Sequence, residues 1–152
     1  MKPVLFLRIA SILTLIHSAL HTIGGVFGKP APGLQAATVA VMKGNEFVVL
    51  GATRSYFDFF RGMGLAVTIF LTIEGIVFWQ LGSLARTDAA RLRPIVASFL
   101  VGYLVMAVNS YTYFFFAPVV VETLIAACLG MAILTARDAE PTRAGQLATG
   151  RA

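Results

Sequence analysis

Residues 93–136 read RPIVASFLVGYLVMAVNSYTYFFFAPVVVETLIAACLGMAILTA, and behind the leading Arg93 only Glu122 carries charge. As one helix this stretch would be about 64 Å long at 1.5 Å per residue, twice the thickness of a bilayer's hydrocarbon core. It must therefore fold back on itself within an apolar solvent. Pro118 marks the expected hairpin, because proline suits the first turn of a new helix and interrupts an old one. The expected break lies at Ala117–Pro118, giving spans of about 94–116 and 118–136. A break near Asn109–Tyr113, with a shorter third span, is the alternative.

Two further runs, about Ile9–Phe27 and Gly62–Leu84, are long and apolar enough to cross a membrane. The composition agrees. The chain is 58% hydrophobic and 12% charged, with a mean hydropathy of +0.83, where soluble domains run about 25% charged. The expected fold is an all-α, four-helix transmembrane bundle over residues 1–136, with one long outer loop between helices 1 and 2. The first span follows Lys2 and Arg8 and resembles a signal peptide in outline. Its two histidines and the absence of a small-x-small cleavage site make it a retained helix instead. The Pro-, Gly- and Thr-bearing residues 137–152 are expected to form a disordered cytoplasmic tail.

Lys and Arg set the orientation. Lys2, Arg8, Arg86, Arg91, Arg93, Arg137, Arg143 and Arg151 fall on one side, against Lys29, Lys43, Arg54 and Arg61 on the other. The positive-inside rule then puts both termini in the cytoplasm, as in a multi-pass protein of a bacterial inner membrane. The net charge of +5 flanks apolar runs rather than forming a basic polar surface, so no nucleic acid is expected as partner. The lipid membrane is, and a homo-oligomer stays open. One cysteine, Cys128, excludes an intramolecular disulfide and gives no thiolate metal motif. In the outer loop, Leu34 to Lys43 suits a short surface helix. Ser55 with Asp58 forms a helix-start capping pair, Tyr56, Phe57, Phe59 and Phe60 suit an interfacial aromatic belt, and Arg54, Asp58 and Arg61 are spaced for ion pairs.

Polar residues inside the spans are costly and point to function. At about 100° per residue, Ser11, Thr14, His17, Ser18, His21, Thr22, Gly24 and Gly25 share one side of span one. On span two, Gly64, Thr68, Thr72 and Gly75 form a stripe flanked by Glu74. Span three aligns Ser98, Gly102, Met106, Asn109 and Tyr113, and span four aligns Glu122, Ala126 and Gly130. His17 and Glu74 fall near the midplane, with His21, Asn109 and Glu122 about 4–8 Å outward. The structural alternative is interhelical hydrogen bonding by these same Asn, His, Ser and Thr groups. His17 and His21, four residues apart, share a face and could grip one metal, with Glu74 or Glu122 as a third ligand. That set is incomplete, and two histidines on one face cannot ligate a haem from opposite sides, so no metal or cofactor is assigned.

The strings Leu15-Ile16-His17, His21-Thr22-Ile23-Gly24-Gly25-Val26-Phe27-Gly28-Lys29-Pro30, Arg54–Gly62 and Trp79–Leu84 resemble a family of small bacterial four-span membrane proteins. The likeness runs from about Arg8 to Ala136 and implies the four-span fold but no activity. A looser, fold-level likeness links a bundle lined by His, Glu and Asn to the sterol-isomerase and sigma-2-receptor type. The expectation is a membrane-embedded pocket for a small lipophilic ligand, with Asn109, Tyr113, Thr68 and Thr72 orienting it. If chemistry occurs, it is proton transfer, with His17 or His21 as shuttle and Glu74 or Glu122 as acid. A metal or redox protein, and an accessory subunit without a site, are the rival classes.

Overall fold

A computed structural model describes residues 2–136 of the chain, so the expected tail lies outside the described residues. Four helices are long and apolar enough to cross a membrane: Lys2–Val26, Tyr56–Leu84, Ala90–Tyr113 and Phe116–Thr135. Their outward surfaces are studded with large apolar side chains such as Ile69, Phe70, Val105, Val108 and Leu134. Apolar residues at that density on a surface mark contact with something other than water, and these are the features of an integral membrane protein.

The described residues divide into two compact units, Ser11–Val77 and residues 2–10 with 78–136. The first unit opens with the greater part of helix α1 (Lys2–Leu20) and passes into a π-helical segment, His21–Val26. Gly24 and Gly25 lie in that segment, where their weak α-helical preference lets the turn widen. After the turn-rich Gly28–Gly33 comes α2 (Leu34–Gly44), the expected surface helix.

A small antiparallel hairpin follows, β1 (Glu46–Val49) and β2 (Ala52–Ser55), with Val49 opposite Ala52. Helical periodicity gave no sign of it. Its two-residue turn, Leu50-Gly51, has φ of 49° and 81°. Both values are positive, as the turns matching strand twist require. Glycine takes that conformation freely; leucine does not, and Leu50 is fully exposed. Phe47 packs against Tyr56 and Phe59, with ring centroids 5.0 and 5.3 Å apart, which ties the hairpin to the first turn of α3 (Tyr56–Leu84).

That first turn is closed by a capping box. Asp58 accepts the Ser55 N–H at 2.8 Å and the Ser55 hydroxyl at 2.9 Å, while the Asp58 N–H donates to Ser55 Oγ at 3.2 Å. Asp58 thus serves the cap rather than an ion-pair ladder. Arg54 donates to the Thr53 carbonyl, and Arg61 lies over the Phe27 ring at 4.8 Å. Ser55→Ala is expected to cost about 1 kcal/mol and Asp58→Ala a similar amount. The double variant should cost little more than either single, because both share the same bonds. Amide exchange at residues 56–59, which should quicken in all three variants, checks this.

The second unit contains the start of α1, the end of α3, a 3₁₀ turn (Ala90–Leu92), α4 (Arg93–Tyr113) and α5 (Phe116–Thr135). The reversal falls at Phe114–Phe115, and Pro118 occupies the third position of α5. Its missing N–H is lost where no intrahelical bond would have formed. Buried Val96, Tyr103 and Ser110 recur every seven residues along α4, and Ile125, Leu129 and Ala132 answer from α5. Phe78 is fully buried, edge-on to Phe99 at 5.0 Å and near Tyr103 at 6.0 Å.

Candidate functional site

In the Ser11–Val77 unit, the polar side of α1 faces the small-residue stripe of α3, and hydrogen bonds join them along their length. Ser11 donates to the Gly75 carbonyl at 2.6 Å. Ser18 donates to the Thr68 carbonyl at 3.1 Å, with its oxygen 2.9 Å from Thr72 Oγ1. Thr22 and Thr68 hydroxyls meet at 2.9 Å. His21 Nε2 lies 3.0 Å from the Gly64 carbonyl; a carbonyl only accepts, so the proton sits on Nε2. The helices approach closely because Gly75 and Gly64 lack side chains. A Cβ on Gly75 would stand 2.7 Å from Leu15 Cγ and Cδ2, and one on Gly64 would stand 3.1 Å from Val26 Cγ2.

This arrangement spends most of the predicted site. Thr68, Thr72 and His21 are bound between helices, which is the structural role that such groups fill in lipid. His17 differs. It stands on the same face, half-buried, and its Nδ1 is covered with no hydrogen-bond partner. Glu74 is half-buried on α3 in the same unit. The π-helical segment begins at His21, and such segments occur disproportionately at functional sites.

The other predicted residues belong to the second unit. Glu122 is 2% exposed on α5; its Oε1 accepts the Ser110 hydroxyl at 2.9 Å, and its Oε2 is buried without a partner. Asn109 is half-buried on α4, while Tyr113, the last residue of α4, is 76% exposed and so lines no enclosed space. The buried face of α4 runs through Ser110, one residue on from Asn109, and leaves Ser98, Gly102 and Met106 exposed. Ser110 was therefore missed. Its signal was the period of seven from Val96 and Tyr103, hidden because aromatic and aliphatic residues surround that helix on every side.

Among the described residues, no group of three or more His, Cys, Asp or Glu side chains could hold a metal ion. A surface groove of about 380 Å³ lies at the aromatic start of α3, lined by Arg54, Asp58, Phe59, Gly62, Met63 and Ala66. None of the predicted site residues borders it. No protein-family model, curated protein or solved structure matches the chain.

Proposed function

We propose that this chain is a four-helix bundle of the bacterial inner membrane, both termini cytoplasmic, that binds a small lipophilic ligand beside His17. The observation that carries the reading is the unpartnered Nδ1 of His17. Neighbouring Ser18, His21 and Thr22 all have partners, so the one histidine left unsatisfied stands out. An unsatisfied buried polar atom calls for an explanation, and a ligand or catalytic role is one. In an apolar solvent the cost is highest, since no bulk water competes to fill the gap. A hydroxyl, carboxyl or carbonyl on a sterol-like, isoprenoid, quinone or fatty molecule supplies the missing hydrogen-bond partner, while the apolar helices receive its body. If turnover occurs, His17 moves the proton and Glu74 serves as acid.

The accessory-subunit reading has its own support, the hydrogen-bonded seam that occupies His21, Thr68 and Thr72. Native mass spectrometry of the detergent-purified protein separates the two. The expected result is a defined adduct on the wild type that disappears in His17→Ala, its mass distinguishing lipid from metal. Bare protein in both samples would sink the ligand reading and leave the accessory one.

A further inference from the structure

Where the first turns of α1 meet the last turns of α3, within one compact unit, Arg8 is fixed from three sides. Its guanidinium carbon lies 3.4 Å over the Trp79 ring centroid. Its Nη2 donates to Ser83 Oγ at 2.8 Å. Gly82 makes room for the stem: a Cβ there would stand 3.2 Å from Arg8 Nε and 3.4 Å from Cδ. Trp79, Gly82 and Ser83 are three and four residues apart, so one face of α3 supplies all three. Among the described residues no carboxylate pairs with Arg8, and its Nη1 is buried with no acceptor.

A half-buried guanidinium without a counter-charge is costly. Stacked and held, it is also pre-organised, with a planar fork of donors suited to phosphate oxygens. Lys2, Arg86, Arg91 and Arg93 flank the same span ends in the sequence. Clusters of this kind beside transmembrane helices attract anionic headgroups. Trp79 is a side chain that settles at headgroup depth. We propose that Arg8, Trp79, Gly82 and Ser83 form a phosphate-binding site for an anionic phospholipid of the adjoining leaflet. Nη1 and the free N–H of Nη2 grip the phosphate, and Ser83 keeps the fork in register. Because Nη1 is covered, entry of the phosphate moves the half-exposed Trp79 ring, and the single tryptophan of the chain reports the event. The site depends on the membrane reading and is independent of any ligand at His17.

The test uses the full chain in phosphatidylcholine vesicles, with flotation first showing that it resides in the bilayer; failure there would be failure of the membrane reading itself. Phosphatidylglycerol is then titrated in, and inorganic phosphate in a parallel series, while Trp79 emission is followed. Expected are a saturable shift with phosphatidylglycerol, its loss in Arg8→Ala, and half-saturation weakened roughly tenfold in Arg8→Lys, which keeps the charge without the fork. Should Arg8→Ala fail to fold, the Lys variant and the wild-type lipid dependence still decide the matter. A shift produced by inorganic phosphate alone would overturn the lipid assignment. No shift with either, or an equal shift without the guanidinium, would overturn the site.

Discussion

Gly75→Leu is expected to separate α1 from α3 and cost about 3 kcal/mol or more, the sum of overpacking and of several lost interhelical bonds. Already a Cβ at this position meets Leu15 Cγ and Cδ2 at 2.7 Å and the Ser11 carbonyl at 3.4 Å. Gly75→Ala can be absorbed by a shift of the leucine's flexible end and should cost only about 1 kcal/mol. A full leucine cannot be absorbed that way. It drives the helices apart and takes with it the Ser11 bond to the Gly75 carbonyl and the Ser18–Thr72 contact. A double-mutant cycle makes the claim sharp. Ser11→Ala should destabilise the wild type by about 0.6 kcal/mol, typical of such bonds in bilayers, and should cost nothing in the Gly75→Leu background. Unfolding in mixed micelles by denaturing detergent measures both. A Gly75→Leu variant as stable as wild type would mean the close approach is not there.

The second large effect concerns Glu122. Ser110 is its only protein partner among the described residues, and one carboxyl oxygen already has none. Ser110→Ala leaves both oxygens buried and unsatisfied, for an expected loss of about 2–3 kcal/mol. Replacing both partners should undo that loss. A Ser110→Ala/Glu122→Met variant removes every polar atom of the pair and should come within about 1 kcal/mol of wild type. The same micellar unfolding reads it out. If the doubly apolar variant stays as unstable as Ser110→Ala, the pair contributes more than a satisfied contact, and its role in folding must be sought elsewhere. If it recovers stability, any binding defect that persists belongs to the carboxylate itself.

The four long apolar helices were legible because length and hydropathy act over some twenty residues, and a single polar residue does not mask them. The buried side of α1 was legible too. Ser11, Thr14 and Ser18 are the polar positions of a helix otherwise outlined by exposed Ile12, Leu15, Ile16 and Leu20, so the polar stripe gave the face directly. On α4 the same reasoning chose the stripe through Asn109 and Tyr113, where packing buries Tyr103 and Ser110 instead. A transmembrane helix is apolar all round, and which apolar side turns inward depends on the partner's shape. The Glu46–Ser55 hairpin escaped because its turn uses Leu50 where Asn or Gly would announce it. The capping box was readable from Ser55 and Asp58 alone, being local. The Arg8–Trp79 stack, 71 residues apart in sequence, was not.

The seam between α1 and α3 also bears on the order in which the protein is made. Its bonds join residues 43 to 64 positions apart, so none can form while α1 is alone in the bilayer and α3 is still being synthesised. Several hydroxyls carry their own provision for that interval. Thr22 donates to the Ser18 carbonyl, Thr68 to Gly64 and Thr72 to Thr68, each one turn back on its own helix. Such back-bonding satisfies a hydroxyl locally in lipid. Each segment can therefore wait in the bilayer with those hydroxyls satisfied; a hydroxyl has a single proton, so when the helices meet, one of Thr22 and Thr68 turns its proton from its own helix to the other's oxygen.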